Sequence, residues 1–134
     1  MNKKSILTTN NLSIGYKTKK ETIVIAEQLT LNLDAGKLIT LVGANGIGKS
    51  TLLRTLTGIQ KPLSGNVYLN QKNINSYDGI TLAQELSLVL TEKLPPSNLT
   101  IFELIALGRQ PYTNWLGKLS EDDLEKVNSV MKLT

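Results

Sequence analysis

The sequence has neither cysteine nor histidine among its 134 residues, and only one tryptophan and one phenylalanine. Without cysteine, disulfide bonds and thiolate–metal chemistry are excluded. No apolar run approaches the length of a membrane span, and residues 1–20 are too polar for a signal peptide. A strong charge of one sign is also missing. The formal net charge is +4 and the isoelectric point near 9.3, a balance that suits a nucleotide or an anionic membrane surface but is too mild to argue for DNA or RNA. Much of the excess sits at Lys3, Lys4, Lys17, Lys19 and Lys20, read as a solvated terminus and loop. There is no internal repeat and no low-complexity tract. What remains is ordinary for a globular chain, 40% hydrophobic and 19% charged, with the length of one domain.

Against that plain background stands G-A-N-G-I-G-K-S-T, residues Gly43 to Thr51. Gly43, Gly48, Lys49 and Ser50 fill the phosphate-loop pattern G-x-x-x-x-G-K-[ST]. In that pattern the glycines let the backbone turn its N–H groups onto phosphate oxygens, the lysine places a point charge on the β- and γ-phosphates, and the hydroxyl completes a Mg²⁺ shell. The flanks agree. Residues 37–42, K-L-I-T-L-V, read as a buried parallel strand. Ser50 to Leu56 carries Leu52, Leu53 and Leu56 at helical spacing, with Gly58 as a stop and Pro62 beyond. Strand, glycine loop and helix in that order place an anion at a helix N-terminus. ATP and Mg²⁺ are the expected cofactors, with Asn45 and Gly46 in the same loop.

Around this core, Ser5 to Ile14, residues 23–25 and residues 29–33 read as strands, the last alternating strictly, as a half-solvated antiparallel strand does. Asn66 to Leu69 and the polar Asn70 to Asn73 suggest a hairpin; Asp78 to Gln84 a short helix; Leu86 to Leu90 a short apolar strand. Pro95 and Pro96 break the chain. Thr100 and Glu103 then form a capping box, with Ile101, Leu104 and Ile105 on one helix face, and Leu99 and Leu104 paired as a staple. A second cap at Ser120 precedes Glu121, Asp122 and Asp123, with Leu124, Val127 and Met131 on one face.

Leu12 to Tyr16, Asp34 to Lys37, Leu41 to Arg54, Gly58, Pro62, Ser64 and Gly65 together resemble the ATP-binding subunit of ABC transporters. Phe102 to Tyr112, F-E-L-I-A-L-G-R-Q-P-Y, is similar to the branch that imports iron chelates, haem or cobalamin. The resemblance implies an α/β fold, a P-loop NTPase core with a flanking antiparallel β subdomain and an incomplete helical subdomain. Residues 1–85 would hold the β subdomain and P-loop core, and 86–134 the metal-side loop and the start of the helical subdomain. It implies that Tyr16 stacks on adenine, and that Thr91 or Glu92 stands where the family has a glutamine touching Mg²⁺. It further implies transmembrane permease partners, a second ATP-binding subunit, no nucleic acid, and a location on the cytoplasmic face of the cell membrane.

Several family features find no match here. There is no L-S-G-G-Q signature, no later apolar strand ending in Asp-Glu, and no switch histidine, because the chain has no histidine. The chain therefore corresponds to roughly the front half of such a subunit, expected to bind ATP without turning it over; no catalytic residue is assigned. Two alternatives stay open: a small stand-alone P-loop NTPase or kinase with Glu92 as its acidic metal residue, and a non-catalytic nucleotide-binding module.

Overall fold

The computed structural model describes residues 5–89 and 98–133. They form two compact units, the first ending at Asp78 and the second beginning at Gly79. The helix that follows Asp78 belongs to the second unit.

The first unit is built on one long strand. β1 (Ser5–Lys17) pairs antiparallel with β2 (Thr22–Leu29), β3 (Asn32–Asp34) and β4 (Ser64–Leu69), and β4 pairs in turn with β5 (Lys72–Asn73). Along β1 the buried residues are first Leu7 and Thr9, then Leu12 and Ile14. The inward parity changes from odd to even because Asn11 sits at φ 46 and the register with β4 shifts between Asn10 and Ser13. One extra residue in the left-handed region, which asparagine tolerates, turns the second half of the strand over so that its apolar residues keep facing the core. That core holds Leu7, Leu12, Ile14, Leu56, Val67, Leu69 and Ile74.

Residues 29–33 do not form one strand. Leu29 ends β2 after Gln28 at φ 56, and pairing resumes only at Asn32. Buried Thr9 bridges the interruption: its hydroxyl donates to the Leu29 carbonyl at 2.8 Å and accepts from the Leu31 N–H at 2.9 Å, while its own N–H donates to the Leu31 carbonyl at 2.9 Å. The hairpin at Asn70 is as expected. Asn70 and Gln71 have φ 50 and 67, the paired left-handed residues of a two-residue turn.

Residues 37–42 depart from the expected buried parallel strand. They join no ladder among the described residues, and Leu38 and Val42 are 97% and 86% exposed. A parallel strand stays buried only where neighbours pair its backbone and cover both faces, and no described residues do so here. Residues 86–89 likewise form no strand, and Leu90 lies outside the described residues. After the glycine loop, α1 (Lys49–Leu56) turns Thr51, Thr55 and Leu56 inward. Gly58, at φ 77, follows its last turn as the anticipated stop.

In the second unit, α2 (Gly79–Glu85) is tied by the Gln84 side chain to the Pro111 carbonyl at 2.7 Å. α3 (Ile101–Leu107) and α4 (Glu121–Met131) pack together, and both begin with capping boxes: the one read from sequence at Thr100, and one at Ser120, where the sequence shows a cap and the structure adds Asp123 as the reciprocal partner. The second box also carries an ion pair between the buried Asp123 and the half-buried Arg109. Asp123 Oδ2 accepts from the Ser120 hydroxyl at 2.7 Å and the Ser120 N–H at 3.0 Å. Its Oδ1 accepts from Arg109 Nε and Nη2, both at 2.7 Å. The Arg109 guanidinium lies 4.1 Å from the Tyr112 ring centre. With both carboxylate oxygens and the cation partnered, burial of the pair is tolerated.

The Ser120 hydroxyl and N–H, and then Arg109, hold the Asp123 carboxyl down at about 2, against an ordinary 3.8. The Thr100 N–H and hydroxyl lower Glu103 in the same sense. A depressed folded-state pKa stabilises fully above the ordinary value and is lost as pH falls toward the folded one. Denaturant unfolding measured at pH 5, 3 and 2 should show stability falling across the window from about 4 to about 2. Asp123→Asn should be less stable at pH 5 and show a shallower fall; equal slopes would remove Asp123 from this role.

Candidate functional site

The C-terminal end of β1, Ile25 of β2, the glycine loop and the first turn of α1 line an open cavity of about 300 Å³. Tyr16, Ile25, Asn45, Gly46, Gly48, Lys49, Ser50 and Thr51 line it. Seven of these were singled out from the sequence; the end of β1, the glycine loop and the first turn of α1 meet here, while residues 37–42, the strand expected ahead of the loop, take no part in the lining. Gly43 is not in the lining, but its carbonyl accepts from Lys49 Nζ at 2.7 Å, as does that of Ala44. The amine is therefore drawn across the mouth of its own loop. Thr91 and Glu92 lie outside the described residues.

Two features suit the cavity to an anion. Gly48 stands at the N-cap of α1 with no side-chain hydrogen bond, leaving the first-turn N–H groups without a capping side chain. The helix dipole adds partial positive charge there, Lys49 adds a full one, and no acidic side chain among the described residues lines the cavity.

Tyr16 supplies a different kind of surface. Its hydroxyl is 2.8 Å from the buried Thr51 Oγ1, across 35 positions of sequence, and the residue is 44% exposed. Thr51 carries on into the helix, its carbonyl accepting from Thr55 Oγ1 at 2.8 Å. One edge of the tyrosine is thus fastened to the phosphate loop while a face stays open, the arrangement of a stacking platform.

Ile25 was not anticipated. It reads as an ordinary strand residue, and only the register of β1 with β2, which shifts between Ile14 and Gly15, brings it here. Gly48 makes it matter. At φ 106, a Cβ on Gly48 would lie 2.2 Å from Ile25 Cγ2. The floor of the loop is therefore a glycine pressed onto an isoleucine. Gly48→Ala should cost about 1–3 kcal/mol from backbone strain alone, with the clash added. Urea unfolding of Gly48→Ala and of Gly48→Ala with Ile25→Ala measures both parts: the double variant should recover the steric part only. A Gly48→Ala protein as stable as wild type would dismiss the packing argument.

A strand end, an open helix N-terminus and a glycine loop holding a lysine define a phosphate-loop nucleotide-binding fold. The sequence model of the ABC transporter family matches residues 26–133, and the chain belongs to that family. It is 43% identical over 118 residues to an ABC transporter ATP-binding protein of Methanocaldococcus jannaschii, covering 88% of this chain and 39% of that protein. It is 38% identical over 117 residues to the iron(3+)-hydroxamate import ATP-binding protein of Bacillus subtilis, covering 87% and 42%. The chain thus spans less than half the length of these relatives. Among solved structures, a dimeric ATP-binding cassette in a post-hydrolysis state with ADP and Pi shares the fold at a TM-score of 0.74 and 24% identity, over 95% of this chain and 56% of that one.

Proposed function

We propose that this chain carries the ATP-binding half of the nucleotide-binding subunit of an ABC importer for an iron chelate or a related solute. The observation that carries the reading is the single cavity uniting an aromatic platform, Tyr16, with the loop residues Asn45 to Thr51. The phosphates lie along the Gly46 to Thr51 backbone at the head of α1, with Lys49 moving from its own loop carbonyls to phosphate oxygens. The base rests on Tyr16, with Ile25 closing the apolar side. Contact through a ring face holds a base without reading its polar edges.

The Ser50 hydroxyl, in the first turn of α1 and beside Lys49 in the lining, is an oxygen donor of the kind Mg²⁺ takes. It is the described residue that would hold the ion, whose charge would offset that of the terminal phosphates. Thr91 or Glu92 is the proposed second contact. Family membership sets aside the stand-alone kinase reading, and the solute class rests on relatives such as the B. subtilis hydroxamate importer subunit. Permease subunits, a second ATP-binding subunit and a place at the inner membrane face belong to the same proposal. No helix among the described residues is long and apolar enough to cross a membrane.

Calorimetric titration tests the site. Lys49→Ala removes a charge-assisted contact worth roughly 1.5–3 kcal/mol, so MgATP affinity should fall about 10- to 150-fold. Tyr16→Ala should instead erase the preference for ATP over inorganic tripolyphosphate, a base–aromatic term of about 1–3 kcal/mol. Equal MgATP affinity for wild type and Lys49→Ala would sink the assignment, and a preference intact in Tyr16→Ala would reduce Tyr16 to packing.

A further inference from the structure

The tyrosine platform is held at two places. Its hydroxyl meets Thr51 at the N-terminal end of α1. The peptide that leads into it is held from beyond the other end of the same helix, where Gln60 Nε2 donates to the Gly15 carbonyl at 2.6 Å across 45 positions. Gln60 is itself fixed, its N–H donating to the Arg54 carbonyl at 3.0 Å as the chain leaves α1. On the next turn of chain, the Leu63 N–H donates to the Ser13 carbonyl at 2.8 Å.

The site of this contact is unusual within the strand. The ladder of β1 with β2 shifts register between Ile14 and Gly15. A Cβ on Gly15 would lie 2.0 Å from the Ile23 carbonyl oxygen and 2.8 Å from a Leu63 methyl, so no larger residue fits between β2 and the segment after α1. The Gly15 carbonyl belongs to the peptide plane that also contains the Tyr16 nitrogen. Fixing that plane, together with the hydroxyl, leaves the ring little freedom to swing from the loop. Side chains that contact no ligand but lock the rotamer of one that does are what make a binding constellation precise.

From these contacts we infer that Gln60 is a positioning residue for base recognition: it sets the Tyr16 ring through the Gly15 peptide and touches no nucleotide itself. The inference rests on the nucleotide-site reading above.

Titration of the full 134-residue chain with MgATP and with inorganic tripolyphosphate tests this. Gln60→Met keeps the side-chain length and loses the donor. Its MgATP affinity should fall about 3- to 10-fold, the range for one neutral hydrogen bond, with tripolyphosphate affinity unchanged. Gln60→Lys, which keeps a donor of sufficient reach, should recover part of the loss. In a Tyr16→Ala background, Gln60→Met should change nothing further, because its route to the base is gone; a merely structural defect would lower affinity in both backgrounds and for both ligands. A wild-type preference for ATP that survives intact in Gln60→Met overturns the inference while leaving the site reading standing. Equal losses for ATP and tripolyphosphate, or a loss that persists beside Tyr16→Ala, overturn it too. A wild-type chain with no preference for ATP over tripolyphosphate overturns both.

Discussion

Everything in the first unit is hung on β1, and β1 can serve only because Asn11 takes a left-handed conformation in its middle. The strand carries β3 and β4 on its first half and β2 on its second. Without the extra residue, side-chain alternation would turn Leu12 and Ile14 to the opposite face from Leu7 and Thr9. The bulge lets one strand bury two segments on one face. It also determines where Tyr16 emerges, since the residues after Ile14 follow from the new parity. The placement of the aromatic platform is thus inherited from a backbone event five residues earlier.

The candidate anion site depends on what is withheld as much as on what is supplied. A helix with a serine or aspartate at its N-cap satisfies its first N–H groups internally, as α3 and α4 do through Thr100 and Ser120. α1 begins instead at Gly48, with no side-chain cap and with Lys49 as its first residue. α3 and α4 are closed by side-chain caps while α1 is left open, and the open end faces the cavity. Gly48 serves this twice over: it lacks a capping side chain, and its missing Cβ leaves room for Ile25.

The sequence made the site legible where chemistry is local, and less so where geometry is not. The glycine loop, the stop at Gly58, the capping box at Thr100, the cap at Ser120 and the Asn70 turn depend on residues within a few positions of one another, and all appear as read. Tyr16 was legible only through family resemblance, because nothing local ties it to Thr51. Ile25 and Gln60 were not legible: each reaches the site by a register shift or a contact across tens of residues. The strand expected at residues 29–33 failed for a related reason, since alternation there is intact but Thr9 on another strand captures the backbone at Leu29 and Leu31.

The segment at residues 37–42 shows how far the loop's geometry is secured. Its run of leucine, isoleucine and valine suits a strand covered on both faces, yet Leu38 and Val42 lie almost bare. The phosphate loop begins at the next residue, so on its entry side it receives no rigidity from a ladder among the described residues. On its exit side it is continuous with α1, which Thr51, Thr55 and Leu56 hold against the sheet. What closes the entry side is Lys49, reaching back from the helix to the carbonyls of Gly43 and Ala44. The lysine is thus both the charge in the site and the clasp of the loop. Exchanging those carbonyls for phosphate oxygens would release the clasp, leaving the phosphates themselves to hold Gly43 and Ala44 in place.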